Sequence, residues 1–181
     1  MANETIISGE KVILHPVEHS DIQHFVSWYQ DEELRTLTGE VAPMTEKEAE
    51  EFFQKIQKDE TRRWFMIVEK STGRIIGECG LLRIFPAWRR TDVSVIIGEK
   101  DCWGKGYGMD AIRLLQRLAF EELKLHRMSI GVVGFNKRAI RFWKKAGFRT
   151  EGREREGYFY DGKFHDFVMM RLLEGEYEKR R

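Results

Sequence analysis

The stretch Trp103-Gly104-Lys105-Gly106-Tyr107-Gly108-Met109 is a glycine-dense turn that runs directly into an amphipathic segment. Gly106 and Gly108 carry no Cβ, so the backbone can turn sharply and bring successive N–H groups against a bulky anion. Beyond the turn, Ala111, Ile112, Leu115, Leu118, Ala119 and Leu123 recur at helical spacing, which predicts a helix whose N-terminus points back into the turn. A helix N-terminus offers unpaired N–H groups and a partial positive charge, so turn and helix together predict a pyrophosphate cradle. A glycine-rich turn by itself is more often only a tight connection, and the letters exclude two familiar phosphate motifs. A nucleoside-triphosphate loop needs four residues between its first Gly and Gly-Lys, then Ser or Thr. Gly98 to Gly104 encloses one residue too many, and Gly106 follows Lys105. A dinucleotide fingerprint fails because Met109 stands where its third Gly belongs.

Downstream, a short strand is expected at Met128 to Val133, followed by Asn136-Lys137-Arg138-Ala139-Ile140-Arg141-Phe142-Trp143-Lys144-Lys145-Ala146-Gly147-Phe148. With the glycine turn, this segment resembles the GNAT superfamily of acetyl-coenzyme-A-dependent N-acetyltransferases. The two motifs match closely and most of the chain loosely. Ile97-Gly98, the turn, and the ending Tyr160-Asp161-Gly162-Lys163-Phe164-His165-Asp166 are similar to the branch of ribosomal-protein N-terminal acetyltransferases.

The resemblance implies direct acetyl transfer from acetyl-CoA, the cosubstrate, to a primary amine in a ternary complex, with no acyl-enzyme. Protein N-termini, polyamines, aminoglycosides and amino acids all stand as acceptors, and a homodimer is among the expected assemblies. By the same resemblance, amides from Trp103, Gly104, Lys105, Gly106, Tyr107, Gly108 and Met109 hold the coenzyme's pyrophosphate. Backbone groups of Val95, Ile96 and Ile97 pair with its pantetheine arm, an N–H near Ile97 polarises the carbonyl, and the Asn136 side chain reaches the arm while capping its helix. Lys105, Lys137 and Arg138 are placed for the 3′-phosphate, although surface cations are usually only solvated. Trp103 departs from the Arg or Gln usual at the first loop position.

An acceptor amine with a pKa near ~10.4 is protonated at neutral pH, so a base or a water chain must take a proton before attack. Asp92, which aligns with a carboxylate often present in this branch, is the first candidate, with Glu78 and His165 as alternatives. Many members place a Tyr seven residues after the Asn to reprotonate the thiolate. Here Trp143 stands in that position, and an indole N–H does not surrender its proton at neutral pH. Packing with Ala139 and Ile140 is the simpler role for it, and water or Tyr107 is left for the proton. Trp28, Tyr29, Trp88, Tyr158 and Tyr160 are grouped as an acceptor pocket.

Composition agrees with one N-acetyltransferase domain over residues 1–181. With 41% hydrophobic residues the chain can form a real core, and the formal charge of +1 gives no bulk attraction to nucleic acid or membrane. The basic clusters Trp88-Arg89-Arg90 and Arg153 to Arg155 weakly suggest a nucleic-acid module, but the latter are interleaved with Glu154 and Glu156. The N-terminus is polar and no apolar run approaches a membrane span. Cys79 and Cys102 make neither a metal-ligand spacing nor a disulfide framework, so no metal is expected and a reducing cytoplasm fits. The tail Lys179-Arg180-Arg181 is expected to be solvated. A second reading, motivated by Trp143, is an acetyl-CoA sensor without turnover.

The fold class expected is α/β (α+β), a single mixed, mostly antiparallel sheet with helices on its faces. Its first strand is Val12 to Pro16. Capping boxes at Ser20-x-x-Gln23 and Thr45-x-x-Glu48 open two helices on either side of an irregular segment, 31–44. Strands at Trp64 to Glu69, Ile75 to Ile84 and Asp92 to Gly98 form a meander. The long helix crosses over to a parallel strand, and Thr150 to Glu156 with Phe164 to Leu172 close as a hairpin around Asp161-Gly162.

Overall fold

Eight strands form one sheet in the order β1-β2-β3-β4-β5-β6-β8-β7 in the computed structural model, which describes residues 6–180. The strands are β1 (Ile7–Ser8), β2 (Val12–Pro16), β3 (Arg63–Glu69), β4 (Ile75–Phe85), β5 (Arg90–Ile97), β6 (Arg127–Val133), β7 (Arg149–Tyr160) and β8 (Lys163–Leu173). Every neighbouring pair is antiparallel except β5 with β6. The helices are α1 (Ile22–Trp28), α2 (Glu32–Thr38), α3 (Glu46–Lys58), α4 (Tyr107–Arg117), α5 (Lys137–Lys145) and α6 (Glu174–Glu178). The expected mixed, mostly antiparallel sheet with flanking helices is therefore the observed one.

Two apolar layers hold the helices to the sheet. On one face Phe25, Trp28, Leu34 and Ala49 from α1, α2 and α3 pack on Trp64 and Met66 of β3. On the other, Ala111, Ile112, Leu115 and Ala119 meet Leu14, Ile67, Leu81, Val93 and Met128, with Trp143 and Phe148 closing the α5 side. Fully burying side chains of this size contributes about 1.5–3 kcal/mol each, so these stripes dominate the helix positions. Past Arg117 the helix widens into a π turn over Leu118–Glu122, and Leu125 N–H donates to Ala119 O.

The Thr45 box is present as expected: Glu48 N–H donates to Thr45 Oγ1 at 3.2 Å and Thr45 N–H to Glu48 at 2.8 Å. The Ser20 box is not. Glu18 N–H donates instead to Asp21 at 2.8 Å, a short 3₁₀ turn follows, and α1 starts at Ile22. Segment 31–44, expected to be irregular, contains α2. Asp31 caps it by accepting from Leu34 N–H at 2.9 Å, and Gly39 ends it at φ +88°. Seven residues are too few for an apolar period to show, so only the caps announce this helix. The turn Asp161-Gly162 has positive φ at both residues, as a tight hairpin with right-handed strand twist requires. The C-terminal tail is only partly solvated, since Arg180 donates to Lys145 O at 3.0 Å; Arg181 lies outside the described residues.

Candidate active site

β5 and β6 run side by side only from Arg90↔Arg127 to Asp92↔Ser129, and beyond that point no pairing joins them. The gap opens into a cleft of about 460 Å³. Ser94 to Ile97 line one wall, Ile130 to Val133 the other, and α5 and the glycine turn form the outer end, while Leu34, Leu37 and Thr38 of α2 also line it. Gly77 explains how β5 lies so close on β4: a Cβ there would come 2.2 Å from Ile96 O.

The glycine turn has the shape an anion requires. Gly104 and Gly106 hold φ of +78° and +90°, and Gly106 stands at the N-cap of α4 without a side chain to occupy the first-turn N–H groups. Nothing lies within 4 Å of where a Cβ on Gly104 would stand, so backbone conformation rather than crowding calls for glycine there. The helix start is pinned from behind by Asp110, buried, which accepts from Lys11 N–H at 2.7 Å and Val12 N–H at 3.0 Å. Gly9 leaves room for this carboxylate, since a Cβ there would meet it at 2.4 Å. These features fit a pyrophosphate, and Arg138, Arg141 and Lys145 on α5 carry positive charge along the same cleft. Arg141 and Lys145 follow Arg138 at helical spacing, so the positive charge expected at Arg138 continues along the same helix face.

Val95, Ile96, Ile97, Trp103, Gly104, Gly106, Tyr107, Gly108, Met109 and Asn136 all line the cleft, whereas Lys105 does not. Lys105 is exposed, and its carbonyl accepts from Lys11 Nζ at 2.9 Å. Trp103 uses its indole N–H on Ile97 O at 2.7 Å, and Arg138 stacks over its ring at 4.4 Å. Trp103 thus links the end of β5 to α5 across the cleft mouth. Lys137 Nζ donates to Gly134 O at 2.7 Å, which turns it toward its own loop. Asn136 Oδ1 accepts from Ala139 N–H at 2.9 Å and its Nδ2 donates to Leu37 O at 2.8 Å, so the side chain caps α5 and tethers α2. Tyr107 donates to Glu69, a contact that pushes its pKa up to about 12 and commits its proton away from the cleft. Trp143 is buried against Phe142 and Phe148, edge to face at 5.0 Å in both cases.

Asp92 stands where β5 and β6 part but does not line the cleft; its carboxylate accepts from Arg83 Nε at 2.5 Å. Glu78 has a different environment. It is fully buried opposite Ile96, on the face covered by α1 to α3, and accepts from Tyr29 Oη at 2.8 Å and Trp64 Nε1 at 2.7 Å. Burial pushes its pKa up to about 7, against the opposing effect of the two donors. The Tyr29 phenol is raised by burial and then by Glu78. His165 packs edge-on against Phe135 at 4.9 Å. Of the grouped aromatics, Trp28 spends its N–H on Glu99, and Trp88 is 70% exposed beside Phe85, before the paired start of β5 and outside the cleft lining. Tyr158 and Tyr160 stack on one another at 6.2 Å, next to Phe135. Thr36 of α2 donates to Tyr160 Oη at 2.9 Å, which ties this group to the cleft wall.

Residues 11–149 match the family model described as an acetyltransferase (GNAT) domain. The chain is 30% identical over 159 residues to an N-acetyltransferase 9-like protein of Caenorhabditis briggsae, covering 81% of this chain and 79% of that one. It is 25% identical over 172 residues to a spermidine N(1)-acetyltransferase of Vibrio cholerae, covering 95% and 98%. The crystal structure of spermidine N-acetyltransferase from Vibrio cholerae in complex with CoA and spermine shares the fold, with a TM-score of 0.86 at 24% identity over 93% of this chain and 98% of that one. No helix among the described residues is long and apolar enough to cross a membrane.

Proposed function

The chain belongs to the GNAT acetyltransferase family, and from that premise we propose that it transfers acetyl from acetyl-CoA to a primary amine of a polyamine in a ternary complex. The observation that carries this reading is the cleft itself, with a glycine turn suited to an anion at its outer end and the open edge of β5 along one wall, while the buried Glu78 carboxyl of pKa about 7 sits on β4 opposite the cleft-lining Ile96. The polyamine acceptor is supported by the spermidine acetyltransferases among the relatives.

Acetyl-CoA supplies the activated thioester. The glycine turn and the α4 N-terminus bind its pyrophosphate through backbone N–H groups, and Arg138, Arg141 and Lys145 add charge along the path. The open edge of β5 over Val95 to Ile97 orients the pantetheine arm by strand-like pairing. Glu78, buried beside the cleft-lining Ile96, takes the proton from the acceptor ammonium through water, because a carboxyl near pKa 7 is partly ionised and accepts protons at working pH. Tyr29 holds that carboxyl in place. Asp92, the first candidate from sequence, is engaged by Arg83 where the strands part, and the raised pKa of the alternative Glu78 favours the latter as base. No acid for the departing thiolate is assigned among the side chains: Tyr107 is committed to Glu69, and Trp143 cannot give up its proton.

Calorimetric titration of acetyl-CoA followed by thiol release with spermidine, N-terminal peptides and amino acids tests this reading. Binding with turnover of spermidine is the expected result. Binding without turnover on any amine favours the sensor reading, and absence of binding removes the cleft argument.

A further inference from the structure

Among the described residues, Tyr158 Oη is the single buried side-chain oxygen or nitrogen without a hydrogen-bond partner. A buried hydroxyl left in this state costs roughly 1–3 kcal/mol, so folds retain such groups where something else satisfies them. Tyr158 itself is 7% exposed, yet Phe135, Tyr160, His165 and Phe167 around it are each half-buried, so the cluster is open at its rim. Its surroundings suit a cation. The rings offer π faces, and the Glu40 carboxylate acts on the phenol after burial and Tyr160, while His165 is in ring contact with Tyr158 at 6.4 Å. The position suits a nitrogen distant from the reacting one. In sheet order β7 lies three strands from β5, with the parted β5–β6 gap between them.

Resting on the acetyl-transfer reading above, we propose that Tyr158 is a specificity-determining residue that receives a second, non-reacting ammonium of the acceptor, whose N–H donates to Tyr158 Oη. The acceptor class is then a linear amine with at least two charges separated by a long aliphatic spacer. The reacting nitrogen, which must be uncharged, lies at the open edge of β5, and the distal ammonium keeps its proton between the aromatic rings and Glu40.

The test compares the full-length protein with Tyr158→Phe, using spermidine and octylamine, a monoamine of similar length. Thiol release and calorimetric titration of each amine into the coenzyme-A-saturated protein are both read. The wild type is expected to prefer spermidine in kcat/KM by about tenfold or more. Tyr158→Phe should lower spermidine affinity and kcat/KM by about tenfold while leaving octylamine and the KM for acetyl-CoA unchanged. Its thermal midpoint should be equal or higher, because an unsatisfied hydroxyl is gone. Equal losses for both amines, or no loss for either, overturn the proposal. Spermidine that binds the wild type, binds Tyr158→Phe weakly and is never acetylated sinks the transfer reading and leaves the ammonium site standing. Failure of spermidine to bind the wild type sinks the site, even if another amine is turned over.

Discussion

Tyr29 Oη donates to Glu78 at 2.8 Å inside a layer of apolar side chains, so the carboxyl depends on neutral donors rather than on a cation for its stabilisation. Neutral donors offset only part of the desolvation, which is why the proton is held up to about pH 7. The active form of the proposed base is the carboxylate. The rate should therefore climb with pH through about 7 and level off above it. Glu78→Gln should lower kcat by about 10²–10⁴-fold and flatten that limb, with the KM for acetyl-CoA unchanged. Asp92→Asn should keep the limb. A pH–rate profile of the three proteins decides between the two carboxylates.

The same shift has a consequence for stability. The pKa of Glu78 is higher folded than the ~4.3 of an unfolded Glu, so folding binds a proton, and stability falls as pH rises from about 4 to about 7. The loss over that window is roughly 3 kcal/mol. Glu78→Gln removes it, since Tyr29 can turn its hydroxyl to suit either amide atom. Urea unfolding should find the variant more stable than the wild type at pH 8.5 and close to it at pH 4.5.

Asp110 satisfies two backbone N–H groups of Lys11 and Val12 from the first turn of α4. Asp110→Ala leaves both without a partner and should cost about 2–4 kcal/mol in unfolding free energy. Both bonds fall on Oδ2, so Asp110→Asn can keep both on its one acceptor oxygen and should lose about half as much, through the missing charge. Chemical denaturation of both variants checks the ratio.

Gly106 occupies a left-handed conformation where a side chain adds roughly 1–2 kcal/mol of strain. A Cβ there meets only the mobile end of Lys11, at 3.4 Å, so the effect should come through conformation. Gly106→Ala is expected to weaken acetyl-CoA about tenfold in calorimetry. Gly104→Ala, at another positive φ with open space, should behave alike.

Asn136 joins two elements with one amide, capping α5 and holding Leu37 O. Asn136→Ala should lower stability by about 2 kcal/mol, divided between cap and tether. Amide hydrogen exchange should show faster exchange in α2 of the variant. Asn136→Asp, which keeps the cap acceptor and loses the donor, should loosen α2 while sparing α5.

The elements legible in the sequence are those whose signals are local and repeated. The meander, the crossover helix and its glycine turn follow from period, turn residues and length, and the Asn136 cap from a single residue at a helix start. What escaped depends on partners distant in the chain. Glu78 and Asp92 look equally exposed as letters; only the α1 to α3 layer buries one and Arg83 engages the other. Trp103 breaks the family pattern in sequence, and its bond to Ile97 O across the turn appears only in three dimensions. Helix α2 had signals, Asp31 before Glu32-Glu33 and Gly39 after Thr38, but they frame too few residues to compete with a reading of polar loop. Gly77 beside Glu78 likewise gives no hint of its purpose until β5 is seen lying against it.

The parting of β5 from β6 gives the sheet two interior edges, one on each strand. The outer two are poor templates for another strand: β1 has two residues, and β7 carries alternating Arg and Glu with an irregular register between Glu154 and Tyr158. The interior edge along Ser94 to Ile97 has neither defence, yet it lies within a cleft also lined by α2 and Trp103 rather than at the outer rim of the sheet. Protection against aggregation is thus supplied by enclosure rather than by charge. The chain can keep a row of strand-competent backbone groups ready for a slender, amide-bearing molecule while denying them to other proteins.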